Sequence, residues 1–321
     1  MRILLVKTSS LGDVIHNLPV ASDLRRRFPD AVIDWCVEEA FTDIPRLHPA
    51  VAEVIPVAIR RWRKALCSGA TWREIGAFRR RLGGRDYDAV LDTQGLVKSG
   101  LITFLAKGPC YGYAAEAARE PLASYFYDRT FVIPPNVHAV ERNRWLSAAA
   151  FDYPVDLPLD YGIRAPAADF PWLPEGREGR RAVLLTATSR DDKLWDDDRW
   201  IAVARQLAER GLTPVLPSGS ARERERAERI AAACAAAVVA PPLSLRELAA
   251  LIGHAELAVG VDTGLVHLAT ALGVPTVALY VATDPALTGV YGTRNFRNLG
   301  GPGRAPGVDA VLAAVAQELR R

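Results

Sequence analysis

The sequence predicts an α/β protein made of two doubly wound parallel-sheet domains. Three observations carry that expectation. The chain has 321 residues, which is two domains at about 100–200 residues each. Short apolar runs alternate with longer amphipathic segments, the pattern of strands wrapped by helices. The alternation fails once, between Asp152 and Gly179, where Pro154, Pro158, Pro166, Pro171 and Pro174 interrupt it, and then it restarts.

In chain order, Ile3–Lys7 is a buried-strand run. Gly12 and Asp13 follow it, and a helical pattern continues to Arg27, where Pro29 stops it. Val32–Val37 reads as strand, Thr42–Leu47 as a short helix, Val51–Val57 as strand, Tyr87–Asp92 as strand, and Leu96–Lys107 and His138–Ala150 as helices. After the proline-rich stretch the strands are Ala182–Thr186, Pro214–Leu216, Val238–Ala240, Leu257–Val261 and Thr276–Tyr280. The helices between and after them are Asp198–Arg210, Ala221–Ala235, Ser244–His254, Thr263–Leu272 and Val308–Arg321. The boundaries implied are a first domain over 1–160, a linker over 161–179 and a second domain over 180–305. The final helix occupies 306–321.

Two such domains joined by a linker are expected to leave a cleft at the carboxyl ends of both sheets, where open α/β sheets bind ligands. Half the residues are hydrophobic and 24% are charged, which excludes a disordered or collagen-like chain. No apolar run approaches the roughly 20 residues that span a bilayer, and the first apolar run is too short for a secretory signal. The expectation is a cytoplasmic protein. Cys36, Cys67, Cys110 and Cys234 lie far apart without a C-x-x-C, as free thiols do. The net charge of +3 excludes little, but residues 60–85 hold nine basic side chains against the single acid Glu74. A cluster of that density suggests a patch for an anionic partner; a solvated helix face is the alternative.

Three loops carry chemistry. Thr8-Ser9-Ser10-Leu11-Gly12-Asp13 follows the first strand and opens a helix. Its backbone N–H groups can hold an anion, and Asp13 suits either a first-turn acid or a catalytic base. Gly260-Val261-Asp262-Thr263-Gly264 puts a hydroxyl and backbone donors at a helix start suited to a diphosphate, with His267 one turn on. The same residues also suit Asp262 as an N-cap and His267 as a core histidine. Thr188-Ser189-Arg190-Asp191-Asp192-Lys193 follows the first strand of the second half. Lys193, one of five lysines among 40 basic residues, is either a loop charge or a compact cation for a leaving phosphate.

Absent motifs narrow the class. No G-x-G-x-x-G follows a strand, there is no P-loop and no G-x-S-x-G, and the five histidines form no H-E-x-x-H. Asp196-Asp197-Asp198 stands just before a helix and reads as capping acids rather than a metal site.

Six stretches together resemble the lipopolysaccharide heptosyltransferases: Val6 to Val14, Ile55 to Lys64, Asp92 to Ser99, Ala118 to Ser124, Arg190 to Lys193, and Val261 to Leu265. The resemblance runs from the first residue to about residue 292. The basic decapeptide ending at Lys64 and Arg119-Glu120-Pro121-Leu122-Ala123-Ser124 match the type I branch in particular. Two departures stand out. Thr186-Ala187-Thr188-Ser189 replaces His-Ala-Thr-Thr, and Val281-Ala282-Thr283-Asp284-Pro285 replaces Gly-Pro-Thr-Asp-Pro.

The resemblance implies a GT-B glycosyltransferase, with the acceptor in the first half, the nucleotide sugar in the second, and the last helix, 306–321, packing back on the first domain. It implies inverting transfer from ADP-L-glycero-β-D-manno-heptose to the inner Kdo of Kdo2-lipid A, with no metal and no cofactor. Asp13 matches the base. Thr188, Ser189, Lys193, Glu223, Leu243, Asp262, Thr263, Gly264 and His267 match donor positions, Lys193 also in catalysis, and Glu225 competes with Glu223 for the ribose. Ser10, Arg60, Arg61, Arg63, Lys64 and Arg119 match acceptor positions, the basic ones suited to phosphates and carboxylates. The implied setting is a monomer on the cytoplasmic face of the inner membrane, its basic patch drawn to the anionic leaflet. A later heptosyltransferase acting on heptosylated core is the alternative within the class. A nucleic-acid-binding module is the alternative outside it, disfavoured by the lack of a recognition helix or aromatic ladder.

Overall fold

A computed structural model of the chain describes residues 1–175 and 179–320. It divides into two units, Met1–Ile163 and Arg164–Arg321. Residues 176–178 of the expected linker, and residue 321 of the expected last helix, lie outside the described residues.

The first unit runs β1 (Arg2–Val6), α1 (Leu11–Ile15), α2 (Leu18–Arg27), β2 (Val32–Glu38), α3 (Asp43–Arg46), β3 (Val51–Val57), α4 (Ile59–Trp62), α5 (Gly69–Gly83), β4 (Ala89–Asp92), α6 (Val97–Leu105), β5 (Cys110–Tyr113), a 3₁₀ turn at Pro121–Phe126, β6 (Arg129–Phe131) and α7 (Ala139–Phe151). Ile3, Leu4, Leu5 and Val6 are all fully buried, because a parallel strand is covered on both faces and needs a continuous apolar run. The sequence pattern reads one helix from Gly12 to Arg27; the structure breaks it at His16–Asn17. Pro19 explains the break, since it has no N–H to give the carbonyl one turn back.

The second unit runs β7 (Arg181–Leu185), α8 (Asp197–Glu209), β8 (Thr213–Leu216), α9 (Ala221–Ala232), β9 (Val238–Val239), α10 (Leu245–Gly253), β10 (Leu257–Val261), α11 (Gly264–Ala271), β11 (Thr276–Tyr280), α12 (Pro285–Thr288), β12 (Phe296–Gly300) and α13 (Val308–Leu319). Its core centres on Trp195 and Trp200, ring centroids 5.1 Å apart and edge to face. α13 belongs to this second unit. It packs against α8 and the sheet, with Val311, Ala314 and Val315 in the second core, and Arg297 pairs with Glu318 at 3.0 Å.

Both sheets are fully parallel, ordered β3-β2-β1-β4-β5-β6 and β12-β11-β10-β7-β8-β9. Counted within each unit, both read 3-2-1-4-5-6, the order whose direction reverses between the first and fourth strands. The reversal points are therefore β1/β4, paired Leu5 to Leu91 and Val6 to Asp92, and β7/β10, paired Leu184 to Val259 and Leu185 to Gly260. A Cβ on Gly260 would stand 2.8 Å from that of Leu185, so glycine lets these two strands pack closely. No helix among the described residues is long and apolar enough to cross a membrane.

Candidate active site

The loops singled out in the sequence stand at the two reversal points. In the first unit, the loop after β1 is braced from β4's side: the Gln94 Oε1 accepts the N–H groups of Thr8 at 3.1 Å and Ser9 at 3.2 Å. Ser10 then caps α1, and Asp13 occupies its third position. The Asp13 carboxylate accepts the Ser10 N–H at 2.9 Å and its hydroxyl at 3.2 Å. The capping role and the catalytic role proposed from the sequence are thus compatible, because one carboxylate oxygen is left for other work.

That oxygen holds Arg119, at 2.8 Å. The Arg119 loop reaches the site because Gly95, in the left-handed region at φ +67°, accepts the Glu120 N–H at 3.0 Å; a Cβ there would crowd Tyr113 and the Arg119 backbone. Beneath Asp13 lies Lys7, buried, its ammonium donating to the Thr93 carbonyl at 2.6 Å and the Asn143 Oδ1 at 3.3 Å. The Tyr113 hydroxyl donates to the same oxygen at 3.2 Å, and the Asn143 amide donates to the His16 carbonyl. Burial pulls the Lys7 pKa down to about 8, against the opposing pull of Asp13. For Asp13, burial alone would raise the pKa. Lys7, Arg119 and the Ser10 N–H outweigh it and hold the carboxyl well below the usual carboxylate range.

The second unit gathers three loops on Asp262. Its carboxylate accepts the Lys193 ammonium at 2.6 Å and the Thr283 hydroxyl at 2.7 Å, and the His267 Nε2 lies 4.0 Å away. The Thr188 hydroxyl donates to the Asp262 carbonyl at 3.0 Å. The N-cap of α11 is Thr263 rather than Asp262, so the alternative reading of Asp262 as a cap fails; its carboxylate is spent on Lys193 and Thr283. His267 is buried, and Ser189 is exposed beside Thr188. Glu223 stands in the first turn of α9, after β8, where its carboxylate accepts the Gly219 N–H at 2.7 Å. Glu225 lies further along that helix and is exposed. Leu243, half-buried, follows β9 and precedes the α10 capping box of Ser244 and Glu247. Donor candidates therefore lie at the carboxyl ends of neighbouring strands β10, β7, β8 and β9.

The basic stretch divides. Arg61 pairs with Glu39 at 3.0 Å and Glu74 at 2.9 Å. Arg81 pairs with Glu53, and Arg85 with Glu53 and Asp34, so acids distant in sequence cancel part of the local excess. Arg60 lies over the Phe41 ring, 5.1 Å from its centroid. Among the described residues, Arg63 and Lys64 form no ion pair. Lys98 donates to the Ser9 hydroxyl at 2.9 Å; its pKa is lowered by partial burial and then by Arg60 and Arg63. Asp196 caps α8, and Asp197 pairs with Arg226 at 2.6 Å and Arg229 at 3.2 Å.

Sequence reasoning gave no role to Lys7, Gln94, Tyr113, Asn143 or Thr283. Lys7, Gln94 and Thr283 lie within or beside stretches that resemble the heptosyltransferases, whereas Tyr113 and Asn143 had no local signal. Lys7 and Asn143 are 136 residues apart, and no spacing rule joins them.

The sequence model of glycosyltransferase family 9 (heptosyltransferase) matches residues 75–308. The chain is 49% identical over 299 residues to lipopolysaccharide heptosyltransferase 1 of Pseudomonas aeruginosa, covering 91% of this chain and 82% of that protein. It is also similar to the solved structure of E. coli heptosyltransferase WaaC with ADP, at a TM-score of 0.91 and 42% identity, with 99% of this chain and 100% of that one covered. The structure of WaaC with ADP-2-deoxy-2-fluoro heptose gives a TM-score of 0.86 at 42% identity, over 100% and 99% of the two chains. With two 3-2-1-4-5-6 parallel sheets, a family match over most of its length and that degree of identity, the chain belongs to glycosyltransferase family 9, the heptosyltransferases, and has their GT-B fold.

Proposed function

We propose that this chain is a type I lipopolysaccharide heptosyltransferase, transferring L-glycero-D-manno-heptose from ADP-heptose to the inner Kdo of Kdo2-lipid A with inversion. The observation that carries the reading is chemical. One reversal point presents an ionised carboxylate, and the other presents an ammonium with hydroxyls and a helix start. An acceptor hydroxyl needs the first set and a departing diphosphate needs the second.

In the proposed reaction the acceptor oxygen attacks the anomeric carbon on the face opposite ADP while its proton passes to Asp13. The new carbon–oxygen bond forms as the bond to the β-phosphate oxygen breaks, and ADP leaves with that electron pair. General-base help of this kind contributes roughly 10²–10⁴-fold. Lys193 turns from Asp262 to the phosphate as charge builds there, joined by the N–H groups at the start of α11. Thr188, Ser189 and His267 line the diphosphate, Glu223 takes the ribose and Leu243 the adenine.

Asp13 gripped by Lys7 and Arg119 is a weak base. An acceptor bearing carboxylates and phosphates competes with Asp13 for Arg119. Drawing that guanidinium away returns basicity to Asp13 when a substrate is present. Ser10, Arg60, Arg63 and Lys64 complete the acceptor side. Arg61 joins them only by releasing Glu39 and Glu74. The enzyme works as a monomer on the cytoplasmic face of the inner membrane, where this acceptor resides.

The test is an assay of ADP-heptose with Kdo2-lipid A against an acceptor that already carries heptose. Product with the first and none with the second supports the type I reading. The reverse assigns the chain to a later step of the core.

A further inference from the structure

We propose that the joint outer face of α6 and the Pro121–Phe126 turn is a membrane-docking surface that seats on an anionic bilayer. The proposal rests on the reading that the acceptor is lipid-anchored. It identifies the part of this chain that meets the lipid.

The face is built by helix geometry. Val97, Leu101 and Phe104 recur at four- and three-residue spacing and so share one side of α6, while Ser99, Gly100, Ile102 and Thr103 face inward and are buried. The 3₁₀ turn seats against α6 at Gly100, where an added Cβ would fall 2.6 Å from the Phe126 ring. Leu122 and Tyr125, three apart and therefore stacked in a 3₁₀ turn, are exposed on the element that packs against α6. Phe104 is 70% exposed, Tyr125 85%, Leu122 63% and Leu101 51%. Five large apolar side chains crowded on two contacting elements differ from the single exposed leucines normal on a protein surface.

Charge selects the occupant. Lys98 opens α6 beside Val97 and donates to Ser9, and Arg60 and Arg63 lie near enough to act on its charge, as do the carboxylates of Glu38 and Glu120. Glu120, the neighbouring acid, is engaged by the Val97 N–H at 2.7 Å. A second copy of the chain in a twofold contact would set this positive rim against itself. An anionic bilayer offers hydrocarbon for the apolar residues and phosphate for the rim. The Lys98 bond to Ser9 ties the face to the Asp13 loop, so docking would hold the acceptor side of the site at the lipid surface.

The experiment is vesicle co-sedimentation of the full chain with phosphatidylcholine vesicles, with and without phosphatidylglycerol. Wild type is expected to bind the phosphatidylglycerol vesicles and to release with salt. The L101S/F104S double variant should bind about tenfold more weakly with unchanged thermal unfolding and unchanged turnover of a deacylated, water-soluble Kdo acceptor. F104W should bind like wild type. The proposal is overturned if wild type binds neither vesicle, if the double variant binds as wild type does, or if the face instead mediates a dimer that the double variant loses. Lipid binding that depends on Leu101 and Phe104 in a protein without heptosyl transfer would support the docking face and sink the functional reading.

Discussion

The two reversal points share a strand order and a central aspartate, and they use it in opposite ways. Asp262 is held by short, inward contacts: Lys193 and Thr283 share its carboxylate, and Thr188 holds its carbonyl. Asp13 is held on one oxygen by its own helix and on the other by Arg119, a long side chain 46% exposed that enters from a separate loop. The first arrangement fixes an ammonium against a carboxylate, and the second leaves a carboxylate behind one half-exposed partner. A carboxylate's place in a reaction is therefore read from what holds it and whether that partner can leave.

The sharpest way to break this contrast is to remove the carboxylate proposed as the base. Asp13→Ala should lower kcat by roughly 10²–10⁴-fold while the dissociation constant for ADP, measured calorimetrically, stays within error. Full turnover would end the assignment. Lys193→Ala should follow, with a loss of about 10²-fold or more in kcat and weaker ADP binding, since its cation serves the leaving group. An unaltered rate would reduce the Asp262 cluster to scaffolding.

A finer test concerns the pH profile. Because the Asp13 pKa is depressed in the folded protein, its ionised form persists to unusually low pH. The associated stability is present above the ordinary carboxylate pKa and is lost only as pH falls through the depressed one. The acid limb of kcat/KM should accordingly lie below the usual carboxylate range. Arg119→Ala should move it upward and lower kcat/KM about tenfold with an anionic acceptor. A limb that stays in place would show that Arg119 does not grip the base in solution. The smallest expected effect is from chelation. EDTA should leave kcat unchanged if Lys193 and the α11 start carry the diphosphate charge; a loss restored by Mg²⁺ would reopen a metal role for Asp196, Asp197 or Asp198.

Much of this was legible in the residues. β10 and β11 stand where the apolar runs put them, because a strand buried on both faces writes itself as an uninterrupted string. β5, β6 and β12 were not legible. β6 is a three-residue edge strand, Arg129–Phe131, with one partner and exposed polar side chains, and such an edge needs no apolar pattern. Among the candidate residues, Asp13, Lys193, Asp262 and Thr263 were legible because each follows a strand within its own motif. The Lys7–Asn143–Tyr113 network was not, since its members come from β1, α7 and β5 and meet only when the sheet forms. The division of the basic stretch was hidden for a related reason. Neighbours in sequence such as Arg60 and Arg61 part company in space, one to an aromatic ring and the other to two acids.

The bracing amide of Gln94 bears on protein engineering. Thr8 and Ser9 take their backbone shape from a side chain more than eighty positions downstream. Grafting the short Ser-Leu-Gly-Asp stretch onto another nucleotide-fold scaffold would transplant the letters without the mould that shapes them. A successful chimera would have to carry the β4 turn along with it.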